Sequence, residues 1–184
     1  MKKLLLVGLA MLGATCLTGC DMINSLISGE KEYQYDDFKV LLADRKLSFS
    51  AKKCSVIVDT EGKKESKEYT YDSEDNTWVY EYEKEVLGEK IKLTDSRTLD
   101  VTSYVKTCDV TAAFLNKKVG DVFKFYATGD SYRITGTYKD SDTQAEVEYK
   151  FGKDGLMTSS VEKSTDLNEV KSETKKETFN YSDK

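Results

Sequence analysis

Apolar and polar positions alternate with a period of two along most of this chain, and with a period near 3.6 in two places. In Ser48–Thr60, Cys54, Val56 and Val58 fall on one side; in Lys67–Asp72, Tyr69 and Tyr71 do. Thr77–Val86 carries Trp78, Tyr80, Tyr82 and Val86 on one face, Val122–Thr128 carries Phe123 and Phe125, and Ser131–Tyr138 carries Tyr132, Ile134 and Tyr138. Thr143–Phe151 repeats the pattern with Ala145, Val147, Tyr149 and Phe151, and Leu156–Lys163 and Glu173–Tyr181 complete the set. Successive side chains of a strand point to opposite faces, so each run predicts a strand with one apolar side. Between the runs stand Glu61-Gly62-Lys63, Asp72–Asn76, Gly129-Asp130, Lys139–Asp142 and Gly152-Lys153-Asp154-Gly155, residues suited to turns. A parallel pair needs a crossover of a dozen residues or more, so these short connections predict antiparallel meanders.

Helical spacing marks Tyr35–Arg45, where Phe38, Leu41 and Leu42 stand at i, i+3 and i+4. In Ser96–Lys117 the residues Val101, Tyr104, Val105, Cys108, Ala112 and Leu115 share a face, with Ser96 or Thr98 as the expected N-cap. The β-branched Val101, Thr102, Val105, Thr107, Val110 and Thr111 weaken that helix and suggest two short ones joined near Asp109. A sheet with one apolar face must bury it, and these helices are the partners the sequence offers. The expected class is α+β.

The first residues follow a different rule. Met1-Lys2-Lys3 is a short positive segment, and Leu4–Leu17 is an apolar run too short to span a bilayer, the pattern of a cleaved secretory signal over residues 1–19. It ends in Leu17-Thr18-Gly19-Cys20, which resembles the lipobox of bacterial lipoproteins. That resemblance implies cleavage before Cys20 and a diacylglyceryl group on its sulfur, with a membrane as partner. Two acyl chains, at about 0.8 kcal/mol per buried CH₂, hold a protein firmly on a bilayer. Residues 20–32 then read as lipidated N-terminus and tether, and 33–184 as one domain. The expected location is the extracytoplasmic face of the cell membrane, at the cell surface or in the periplasm.

Composition narrows the chemistry. The 184 residues suit one domain. There is no histidine, which removes Ser-His and Cys-His catalysis and histidine-ligated metals. Loss of Lys2 and Lys3 with the leader moves the formal net charge from −5 to −7, a balance opposed to nucleic-acid binding. The chain carries no glycine-rich phosphate loop, no nucleophile elbow and no metal-ligand spacing, so neither enzyme activity nor a cofactor is expected. Asp72–Asn76 begins like a calcium loop but has Thr77 where glycine is needed, and with Asp140-Ser141-Asp142 it reads as a polar turn.

The order of elements, closing in Tyr149–Glu162 and Glu177–Ser182, resembles the half-barrel lipoproteins related to the carrier LolA and the LppX/LprG group. The resemblance implies a strongly curved, unclosed antiparallel sheet with two or three helices on its concave side, around a cavity for acyl chains. A ligand in such a site would lie along the inward stripe Trp78, Tyr80, Tyr82, Phe123, Phe125, Tyr132, Ile134, Val147 and Tyr149, apolar rings with hydroxyls for a headgroup. The same stripe also suits a solid core. Cys54 and Cys108 fit either a disulfide closing a loop of about 55 residues, adding roughly 4 kcal/mol, or two buried thiols acting as small apolar groups. The expectation is thus a membrane-anchored lipoprotein binding a lipid or other amphiphile; the alternative is a surface interaction module or antigen with a filled core.

Overall fold

The computed structural model describes residues 29–139, 142–169 and 171–183. The expected signal segment, Cys20 and most of the tether lie outside these residues. The chain runs β1 (Lys31–Tyr33), α1 (Tyr35–Arg45), β2 (Lys53–Thr60), β3 (Lys63–Asp72), β4 (Thr77–Val86) and β5 (Glu89–Arg97). It continues through α2 (Val101–Phe114), α3 (Val119–Val122), β6 (Phe123–Ala127), β7 (Tyr132–Lys139), β8 (Thr143–Phe151), β9 (Met157–Asp166) and β10 (Lys171–Ser182). The strands form one antiparallel sheet in the order β1-β6-β7-β8-β9-β10-β2-β3-β4-β5. Two meanders, β2–β5 and β6–β10, are fused by β10 and β2, which pair from Lys175↔Thr60 to Ser182↔Lys53. The sheet is open, with edges at β1 and β5. The molecule is α+β with the β part dominant.

Four differences from the sequence reading have local causes. Lys31 and Glu32, expected in the tether, belong to β1 and pair with Ala127 and Tyr126 of β6. Strand β5 was not anticipated, because among its mostly charged residues only Ile91 and Leu93 mark the alternation. It takes up Ser96 and Arg97, so α2 starts later, capped by Asp100, whose carboxylate accepts a hydrogen bond from the Ser103 N–H at 2.8 Å. Helix α2 also runs unbroken past Asp109. Burial of Val101, Val105, Cys108 and Ala112 outweighs the weak intrinsic preference of its β-branched residues.

Both longer helices lie on the same face of the sheet. Phe38 and Leu42 of α1 pack into the aromatic floor, with the Phe38 ring 5.2 Å from Phe125 and edge-on to Tyr132. Gly136 on β7 leaves room for Phe123, whose ring would stand 2.5 Å from any Cβ there. Toward that face the sheet is rolled. Arg97 on β5 reaches Glu177 on β10 at 3.1 Å, although the two strands are four positions apart and would be separated by about 19 Å if flat. The roll shows also at β3, which pairs with β4 only from Thr70↔Val79 to Asp72↔Thr77. Beyond that point β4 and β5 continue together to Val86↔Glu89 as a two-stranded ribbon.

Candidate functional site

Where the rolled sheet meets the N-terminal half of α2, a cleft of about 360 Å³ remains. Its apolar wall is Leu99 and Met157 with the rings of Tyr104 and Tyr149; its polar floor is Arg97, Ser160 and Glu177. Each wall has a traceable origin. Leu99 and Met157 are locked together by the hydrogen bond from the Met157 N–H to the Leu99 carbonyl, 2.8 Å. Tyr104 projects from the first turns of α2 onto Tyr149 of β8, ring centroids 4.4 Å apart. Glu177 and Ser160 stand opposite each other in the β9–β10 register.

The floor is an ion-pair network centred on the buried Glu177. Arg97 donates from Nη1 and Nη2 to the two oxygens of Glu177 at 3.1 and 3.2 Å, Ser160 Oγ donates to Oε2 at 2.9 Å, and Lys175 Nζ lies 3.1 Å from Oε1. Burial acts to raise the Glu177 carboxyl, but the hydrogen bonds and charges of Arg97 and Lys175 overcome it and hold the group at about 2. Burial likewise acts to lower the Arg97 guanidinium, and Glu177 reverses this so that it is raised. At neutral pH this carboxylate is therefore a fixed anion with both oxygens engaged, suited to holding structure and a local dipole rather than to moving protons. Above it, burial pushes up the Tyr104 hydroxyl, with Tyr149 adding to the effect, and burial raises Tyr149 as well. Both remain neutral hydroxyls, able to donate and accept.

The nine residues of the expected ligand stripe all lie on the concave face, but they do not share one cavity. Tyr149 lines the cleft, and with Phe123 it also lines a void of about 40 Å³ behind Tyr104. Phe125, Tyr132 and Ile134 are packed solid beneath the helices, and Val147, itself buried, borders a separate cleft of about 360 Å³ with Thr135, Glu146, Val161 and Lys163. Trp78 is enclosed by Phe49, Tyr71 and Tyr181. Tyr80 and Tyr82 stack on each other, rings 5.4 Å apart, out along the ribbon. The cleft residues that sequence reading passed over are Arg97, Leu99, Tyr104, Met157, Ser160 and Glu177. One signal was present: Glu177 shares parity with Phe179 and Tyr181, a charge on an apolar face.

Cys54 and Cys108 are both buried and unbridged, and burial pushes their thiols up to about 11 and about 12. They serve as small apolar core groups. Among the described residues no group of three or more Cys, Asp or Glu side chains could hold a metal ion. A second cleft, about 510 Å³, lies between the start of α1 and the α2–α3 junction, but Asp36, Asp109, Asp121, Lys117 and Lys118 give it a mixed-charge, solvent-facing lining. Ligand sites are mostly apolar with a few convergent polar groups, and the cleft at Arg97 fits that description better. No helix among the described residues is long and apolar enough to cross a membrane. Fold and site together define an open, rolled antiparallel sheet with a helical layer and an amphipathic cleft at its margin. The chain matches no protein-family model, and no curated protein shows significant similarity to it.

Proposed function

We propose that this chain is a lipoprotein held on the extracytoplasmic face of the membrane through diacylglyceryl-Cys20, and that it binds a small amphiphile in the cleft between α2 and the rolled sheet. The observation that carries the reading is the lining of that cleft, with Leu99, Met157 and two tyrosine rings facing an ion-paired floor. An acyl or other apolar segment would meet the first and a headgroup the second. The volume lies at the lower end of the range for small-molecule sites, so the ligand is a short or partly accommodated amphiphile. The open, rolled sheet supports a half-barrel of the LolA and LppX kind. In this chain α1 and α2 fill most of the concavity, which moves the site to its edge.

Denaturing organic extraction of the protein purified from membranes, followed by mass spectrometry, tests the binding. Wild type should release an amphiphile, and a Thr107→Trp variant, which fills the cleft from the exposed side of α2, should release at least tenfold less. An empty wild type, or equal yields, overturns it. Labelling with an alkyne fatty acid tests the anchor: label should enter wild type and be absent from Cys20→Ala.

A further inference from the structure

We propose that the free edge of β5 is a docking strand for an extended acidic peptide of a partner protein, which would add an eleventh strand to the sheet. Among the described strands β5 has a neighbour on one side only, and from Glu89 to Lys92 every residue on it is exposed. Such an edge presents unpaired N–H and C=O groups, the requirement for strand addition. Large exposed apolar side chains gather here as well. Tyr82, Val86, Leu87 and Ile91 all sit on the β4–β5 ribbon, and Leu87 at its turn is fully exposed.

Charge selects the occupant. Lys90 and Lys92 project from the outer side of β5, while Ile91 and Leu93 project toward the concave side. A second copy pairing antiparallel through the exposed part of its own β5, centred on Lys90, Ile91 or Lys92 with the apolar faces kept together, would set lysine opposite lysine, and like charges directly across a ladder are destabilising. A strand with acidic residues opposite Lys90 and Lys92 and apolar residues opposite Ile91 and Leu93 meets no such penalty. The molecule already contains one such match. On its paired side β5 faces β4, where Glu83 lies opposite Lys92, Glu85 opposite Lys90 and Tyr82 opposite Leu93, and Lys90 Nζ is 3.8 Å from Glu83.

Position favours a protein partner over the bilayer. Strand registers place Lys31, where the chain arrives from Cys20, at the same end of the sheet as Ala127, Ser182, Lys53, Thr77 and Arg97. The ribbon turn Leu87-Gly88 lies at the opposite end, beside Val86 and Glu89. A membrane tether at the first end leaves the ribbon directed outward.

The test uses the detergent-solubilised mature chain and a fluorescent ten-residue peptide of alternating glutamate and valine. Anisotropy should show saturable binding, weakened at least tenfold by Lys90→Glu with Lys92→Glu, and this charge-reversed variant should instead prefer the alternating lysine–valine peptide. Hydrogen exchange should show new protection confined to Glu89–Thr94 on peptide addition, and Thr107→Trp should bind the peptide as wild type does, which separates this result from the fate of the cleft. Absence of saturable binding, equal binding by the charge-reversed variant, or protection elsewhere overturns the proposal. Protection of Glu89–Thr94 by raised protein concentration alone would assign the edge to a second copy and overturn it too.

Discussion

Glu177 concentrates the tension of this fold in one side chain. It occupies an inward position on β10, two residues before Phe179, where the alternation calls for an apolar group, and it is only 6% exposed. The cost of burying a carboxylate is offset by the forked guanidinium of Arg97, the Ser160 hydroxyl and Lys175. Its folded value of about 2 lies below the ordinary 4.5, so the unfolded chain binds the proton more readily. Stability from this group is then fully present above pH about 4.5 and lost as pH falls toward about 2, a contribution on the order of 3 kcal/mol. Urea unfolding midpoints should drop for wild type across that window. Glu177→Gln should lose about 1.5–3 kcal/mol at pH 7, since it leaves the half-buried Arg97 without its anion, and its remaining acid sensitivity should lack the Glu177 component. Equal midpoints of wild type and variant at pH 7 would show the pair to be energetically idle. Parity alone exposes Glu177 as an oddity on an apolar face. Its partner is invisible in one dimension, because Arg97 is 80 residues away and arrives only when the sheet rolls.

Elements with a regular apolar period were legible, and those defined by pairing were not. Helix α1 spans Tyr35–Arg45, the range its spacing predicts, and β4 and β8 run over the residues their alternation marks. Strand β5 and the short β1 escaped, since a strand can be held by ladder hydrogen bonds while showing only one or two apolar side chains. The same oversight misplaced the start of α2: Ser96 and Arg97 are in a strand, and the chain stays extended past Thr98 because Leu99 and Asp100 bridge to Met157 and Leu156, so the cap falls to Asp100. Its carboxylate satisfies the Ser103 N–H, one of the donors that a helix start leaves without a partner. Asp100→Ala should therefore lower stability by about 1 kcal/mol, read as a shift of the urea midpoint at unchanged slope. Asp100→Asn, which keeps the acceptor, should recover most of it. Because Tyr104 stands on the first turns of α2, loosening this end should also enlarge the cleft.

At the scale of the whole molecule, the fusion of β10 to β2 turns two meanders into one sheet, and the roll of that sheet makes both the cleft and the ribbon. Stability should follow the same division. The strands beneath the helices share a dense aromatic core, whereas the base of the ribbon leans on β3 through Tyr69, whose hydroxyl donates to Asp95 at 2.7 Å and whose ring lies 5.5 Å from Tyr80, and through Lys67, whose Nζ lies 5.9 Å from the Tyr80 ring. Two-stranded ribbons are marginal in water, and local opening tracks the apolar contacts that hold a segment. Native-state hydrogen exchange should therefore be slowest in β2, β8 and β10 and fastest, among strands, in Tyr82–Leu93. Uniform exchange across all ten strands would contradict the division.

The sequence by itself determined the antiparallel texture, the one-sided apolar faces, the two longer helices and the absence of histidine chemistry, because these depend on local period and composition. The tertiary structure alone decided which inward residues are core and which border space. Phe125 and Ile134 vanish under α1 and α2, while Tyr149, on the same face, opens onto a cleft. That outcome depends on how far the sheet rolls and where the helices settle, quantities set by packing between residues dozens of positions apart rather than by any local pattern.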